Sequence, residues 1–258
     1  MKPTISSMDI DRTKNWRVLI YGKPGTGKTS LVRLLTGKTL VLDLDDSSKV
    51  LEKAPGITVQ PFDRAHPSAE WKDFLTALKQ RLEGYDNFVV DNVSAFQKDW
   101  FVEQGRNSKN GIRNELQDYS GWTNYFTRIM TVIFMNAQCN VLVTAWEDTR
   151  EITTDAGQSF SQYVPAIRDS VRDGLLGLSD VVGRLMVNPQ TNGRGVILQP
   201  SDSIFAKNRL DNRTVIPAED LFKFGSEKHD VPTPPVPGGP GEQGPEKSGG
   251  GEQSGTNS

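Results

Sequence analysis

Residues Gly22 to Thr29 read GKPGTGKT, a match to the pattern GxxxxGK[ST] in which a curled backbone turns successive N–H groups inward onto phosphate oxygens. On this pattern Gly22, Lys23, Pro24, Gly25, Thr26, Gly27, Lys28, Thr29 and Ser30 form the phosphate cradle. Lys28 would reach the β- and γ-phosphates of a nucleoside triphosphate, and the Thr29 hydroxyl would bind Mg²⁺. The pattern carries weight only between a strand and a helix. RVLIY (17–21) supplies the strand, and the helix formers from Ser30 to Leu35 would add the positive end of a helix dipole.

Carboxylates complete the chemistry. FVVD (88–91) is a hydrophobic strand ending in Asp91, placed to hold the same Mg²⁺, usually through water. Its neighbour is Asn92 and not a second acid, so the base that orients an attacking water must come from elsewhere. Asp45, closing the strand TLVLDLD (39–45), is the expected base, with Asp43 one pleat period earlier and Asp46 beside it. The alternative for these acids is a polar cluster that solvates the end of the sheet. ATP with Mg²⁺ is the expected ligand, although no base-recognition motif separates ATP from GTP.

These residues need a scaffold. Strand-like runs at 17–21, 39–45, 57–62, 88–91 and 140–145 alternate with helical patterns. One helix is expected over 68–84, where Trp71, Phe74, Leu75, Leu78 and Leu82 share a face between a capping Ser68 and a terminating Gly84; another covers about 121–136. The alternation predicts an α/β fold with a mostly parallel sheet flanked by helices. Runs at 183–187, 196–199 and 203–206 are expected to form an antiparallel extension of that sheet.

The chain divides into a polar arm (1–14), one domain (15–225) and a tail (226–258) in which 14 of 33 residues are Gly or Pro. Such a tail cannot bury enough apolar surface to offset ordering entropy and is expected to be disordered. Lys and Arg number 30 against 32 Asp and Glu, so a nucleic-acid surface must be a local patch. The single cysteine, Cys139, excludes a disulfide framework within the chain and fits a reducing compartment. No apolar run approaches a membrane span, so a cytoplasmic protein is expected.

VVDNVSAF (89–96) resembles the Walker B segment of RecA-type recombinases, and VLDLDD (41–46) is similar to the strand that carries their catalytic carboxylate. The chain looks most like phage-encoded proteins that keep the RecA core and act in single-strand annealing and recombination. The resemblance implies a RecA-like P-loop ATPase that hydrolyses ATP, assembles as a homo-oligomer in a ring or filament, and acts on single-stranded DNA, with a single-strand binding or replication protein as a further partner. FAKNRL (205–210) is similar to the KNRFG-type motif of the RadA branch, with Leu210 and Asp211 departing from it. By that resemblance Lys207 and Arg209 would reach the γ-phosphate held by a neighbouring subunit. At TAWE (144–147) the family places a polar γ-phosphate sensor, while Trp146 and Glu147 have no assigned role.

Two segments are candidate DNA contacts. Gly105 to Asn114 holds Arg106, Lys109 and Arg113, with Trp100, Phe101, Tyr119 and Trp122 near enough in sequence to stack on bases. Thr149 to Arg172 holds Arg150, Arg168 and Arg172 in what reads as a loop that orders on binding. The competing functions are a replication or helicase-loading ATPase with a protein partner, and a nucleotide kinase.

Overall fold

Strands rich in Val, Leu and Ile and buried on both faces build the centre of the molecule. The computed structural model describes residues 4–153 and 157–225. The strands in chain order are β1 (Arg17–Gly22), β2 (Thr39–Asp43), β3 (Ile57–Pro61), β4 (Asn87–Asp91), β5 (Asn140–Thr153), β6 (Ser159–Pro165), β7 (Val181–Val187), β8 (Arg194–Ile197), β9 (Lys207–Asn208) and β10 (Val215–Pro217). They line up as β10-β8-β7-β1-β5-β4-β2-β3, with β6 paired to β5 and β9 to β7.

Every pairing from β7 across to β3 is parallel. Parallel strands end at the same edge, so Gly22, Asp43, Asp91 and the Thr144–Glu147 stretch emerge together. β5 lies between β1 and β4, and it therefore sets the gap between the glycine-rich loop and Asp91.

Among the described residues the α-helices are α1 (Pro67–Thr76), α2 (Leu78–Arg81), α3 (Val93–Asn107), α4 (Leu116–Asn136) and α5 (Asp169–Leu178). Trp71, Phe74, Phe96, Trp122 and Phe126 from these helices pack with Phe88 of β4 in a dense aromatic core on one face of the sheet. The opposite face is covered by Leu31, Val32 and Leu221, with Trp16 stacked on Phe222 at 5.4 Å.

The expected α/β P-loop fold is the one observed, with local differences. The helix expected over 68–84 breaks at Ala77 into α1 and α2. Pro67 occupies its first position, and the Ser68 hydroxyl donates to the Glu103 carboxylate of α3 instead of capping. β7 runs parallel to β1 and belongs to the core, so the antiparallel extension begins only at β8. Within 203–206 Ile204 makes isolated bridges to Tyr163 and Ser201, and the strand falls on Lys207–Asn208. The tail over 226–258 lies outside the described residues, and among the described residues no helix is long and apolar enough to cross a membrane.

Cys139, just before β5, is 6 % exposed, and burial pushes its thiol up to about 11. Since the thiolate is the nucleophile, Ellman's reagent at pH 7.5 should label the native chain about a hundredfold slower than a free thiol. Full labelling in denaturant is the comparison, and rapid native labelling would contradict the burial.

Candidate active site

At the end of β1 the chain turns sharply enough that Gly25 and Gly27 take φ of +81° and +92°, in the left-handed region that favours glycine. A side chain at Gly22 would strike the Leu185 carbonyl at 2.6 Å, so the loop seats directly on β7. The Thr26 hydroxyl donates to Lys23 O at 2.8 Å and closes the turn. Lys28 is buried, with its ammonium donating to the carbonyls of Gly22 and Lys23, each at 3.0 Å. Burial lowers its pKa, and the charges of Asp91, Asp45 and Glu147 oppose that shift.

The helix expected after the loop is a six-residue 3₁₀ segment, Thr29–Leu34. Few peptide dipoles align in it, so anion binding falls on the loop N–H groups and Lys28 more than on a helix terminus.

Asp91 is 1 % exposed at the end of β4. The Thr144 hydroxyl of β5 donates to its Oδ1, and the Ser47 hydroxyl reaches Oδ2 at 3.4 Å. Ser47 Oγ also lies 2.9 Å from Thr29 Oγ1, which joins the two expected Mg²⁺ ligands through one serine. Burial raises the pKa of Asp91, hydrogen bonds from Thr144 and Thr29 lower it, and Asp45 and Asp43 raise it again.

The three strand-end acids of β2 separate by role. Asp43 pairs in register with Asp91, but its carboxylate accepts the Ser47 and Ser48 amides at 3.1 and 3.2 Å and holds the turn after β2. Asp46 is exposed and faces Arg64 at 3.5 Å. Asp45 turns inward: Asn92 Nδ2 donates to its Oδ2 at 2.5 Å, while Oδ1 is buried with no hydrogen-bond partner. Asn92 Oδ1 accepts the Ala95 amide at 2.9 Å and caps α3. The Asp91–Asn92 peptide is cis.

This donor set fits a Mg²⁺–nucleotide. Mg²⁺ takes one or two protein oxygens alongside phosphates and waters, and it does not require a protein cage. Thr29 Oγ1 and the Asp91 carboxylate would supply them, and the orphaned Asp45 Oδ1 is an acceptor waiting for a donor. Among the described residues no cluster of three or more His, Cys, Asp or Glu could hold a metal alone. Ser47 and Asn92 were not foreseen as site residues; their only signal was adjacency to Asp45–Asp46 and to Asp91.

Glu147, without a role in the sequence, is half of a buried ion pair. Arg184 of β7 donates from Nε and Nη2 to its carboxylate at 2.7 and 3.2 Å, bridging over β1 directly beneath the loop. The guanidinium lies 3.5 Å from the centre of the Tyr163 ring. Trp146 is half-buried beneath the Lys98 ammonium, 4.4 Å from its ring centre.

The structure separates the expected DNA contacts. Arg106 in the last turn of α3 and Lys109 and Arg113 beyond it are exposed, with Arg106 donating to Ala65 O. At 1.5 Å per residue along α3, Arg106 stands about 20 Å from Asp91. Trp100 and Trp122 are buried in the aromatic core and cannot stack on bases, whereas Tyr119 is 40 % exposed. The second loop is instead the β5–β6 hairpin and the start of α5, with 154–156 outside the described residues. Arg172 is buried against Ile167 O and Asp169, and Arg150 is bound to Gln162, so neither is free for a phosphate backbone. Arg168 is exposed, its guanidinium 4.7 Å from the Tyr119 ring centre.

Lys207 is corrected as well. Its ammonium donates to the carbonyls of Leu176, Gly177 and Ser179 at 2.9, 2.9 and 2.7 Å, completing the C-terminus of α5. Arg209 next to it is exposed.

The glycine-rich loop, its buried lysine and the Asp91 strand end define a P-loop nucleotide-binding protein. Residues 14–210 match the protein-family model described as an AAA domain, and the chain belongs to that family. No curated protein matches it. Among solved structures, the RadB recombinase is similar at 15% identity and a TM-score of 0.45, over 71% of this chain and 80% of that one.

Removing one half of the Glu147–Arg184 pair leaves an uncompensated buried charge. Glu147→Ala should cost about 3–5 kcal/mol in urea unfolding. A loss below about 1 kcal/mol would mean that the pair is solvated.

Proposed function

We propose that this protein is a RecA-like ATPase that binds Mg-ATP at Gly22–Ser30 and acts on single-stranded DNA as a homo-oligomer in recombination or strand annealing. The observation that carries the ATPase part is the Asp45 carboxylate, gripped through Oδ2 by Asn92 and left with a buried, unpartnered Oδ1. Lys28 and the loop amides would bind the phosphates, and Thr29 and Asp91 would hold Mg²⁺, whose charge would stabilise the γ-phosphate oxygens. Asp45 Oδ1 would accept the hydrogen bond of an attacking water and take its proton.

Support for DNA is the resemblance to phage-encoded RecA-core proteins together with the exposed Arg106, Lys109, Arg113 and Arg168. Arg209, exposed on the strand edge, is the residue offered to a neighbouring subunit's nucleotide.

Lys28→Ala should abolish ATP binding. Asp45→Asn should retain binding while lowering kcat by about a hundredfold or more, the range of a lost general base. Asp45→Asn turning over at the wild-type rate would remove Asp45 from the chemistry. Fluorescence anisotropy should show single-stranded DNA bound at low salt, weakening steeply as salt rises and phosphate contacts are screened. No binding at low salt would eliminate the DNA role, and γ-phosphoryl transfer to a nucleoside monophosphate would replace it with a kinase.

A further inference from the structure

Arg194 begins β8, two strands away from the glycine-rich loop, and enters none of the chemistry above. Its position is fixed from behind. The turn between β7 and β8 is closed by Asn188 N donating to Gly193 O at 2.8 Å, while Asn188 Oδ1 accepts the amides of Gln190 and Thr191. Arg194 then pairs with Val187, the last residue of β7. Because β7 is parallel to β1, that end of β7 lies on the phosphate edge of the sheet.

The side chain reaches from there onto the loop. A Cβ built on Gly27 would stand 2.6 Å from both Arg194 Cζ and Nη1 and 3.0 Å from Nε. The guanidinium therefore occupies the space that the missing Gly27 side chain leaves open. Among the described residues Arg194 has no hydrogen-bond or ion-pair partner, although it is exposed and five donors are available. Other arginines near the site are committed, Arg184 to Glu147 and Arg172 to Ile167 O and Asp169.

We infer that Arg194 is a nucleotide-binding residue acting in the same subunit, its guanidinium closing over the loop at Gly27 to donate to phosphate oxygens of the bound nucleoside triphosphate. A planar donor fork matched to phosphate oxygens suits this role, and Lys28 cannot supply the same contact from inside the loop. The inference rests on the nucleotide reading of the loop and adds a residue that the motif does not contain.

The test is equilibrium binding of ATP by competition against a fluorescent ATP analogue, with the full chain, Arg194→Ala and Arg194→Lys. Losing a charge-assisted contact should weaken ATP about tenfold in Arg194→Ala, with part regained in Arg194→Lys. Because Arg194 is exposed and has no partner among the described residues, the melting temperature without nucleotide should not change, whereas its rise on adding ATP should shrink in Arg194→Ala. Wild-type affinity in Arg194→Ala, with Lys28→Ala still unable to bind, would overturn the inference and leave the nucleotide site standing. A lowered melting temperature without rescue by lysine would overturn it as a structural effect. Failure of the wild-type chain to bind any nucleoside triphosphate would instead sink the reading on which the inference rests.

Discussion

A carboxylate that is almost wholly withdrawn from water is the constraint around which this site is organised. Burying an ionised group costs several kcal/mol unless donors and opposite charge surround it. Asp91 meets that cost with the Thr144 hydroxyl on one oxygen, Ser47 on the other, and the Lys28 ammonium close enough for the two charges to interact. Each partner comes from a different element, and only the order β1-β5-β4-β2 brings them together. Thr144 can reach Asp91 because β5 lies against β4; Ser47 can because β2 flanks the other side.

Asn92 extends the same economy of contacts. One end of its amide caps α3, and the other restrains Asp45. A second acid there would keep the cap but set one carboxylate against another, so the amide and the displaced acid are two halves of one arrangement. The direction of α3 is consequently tied to the orientation of Asp45. Since α3 ends beside the exposed Arg106, Lys109 and Arg113, a displacement of that end would act through a continuous helix on the cap that restrains Asp45.

The loop, its strand and the Asp91 strand end were legible because they follow from local pattern: glycines where φ must be positive and apolar runs where both faces are buried. Asp45 was singled out from Asp43 and Asp46 by its place at the strand end, whereas the different surroundings of the three carboxylates could not be read from sequence. Those surroundings depend on which carboxylate the turn amides of Ser47 and Ser48 capture, a tertiary outcome. The cationic residues were read least well. Arg172 and Arg150 were expected to contact DNA and Lys207 to reach a neighbouring subunit's γ-phosphate, yet each is consumed by a carbonyl or side chain that folding brings near. Arg184 and Glu147 gave no signal at all, because a buried pair from β7 and β5 has no signature in spacing.

The Glu147–Arg184 pair also fixes the charge seen at the loop. Arg184 neutralises part of the Glu147 charge, and the Lys28 ammonium faces the carboxylates of Asp91, Asp45 and Glu147. That balance is negative, and a triphosphate adds further negative charge. On the proposed function, nucleotide and divalent cation therefore enter this site as a coupled pair, since the metal supplies the charge that the protein withholds. The Arg194 guanidinium against Gly27 bears on the same deficit. The antiparallel extension thereby becomes part of the electrostatics of the P-loop as well as an addition to the edge of the sheet.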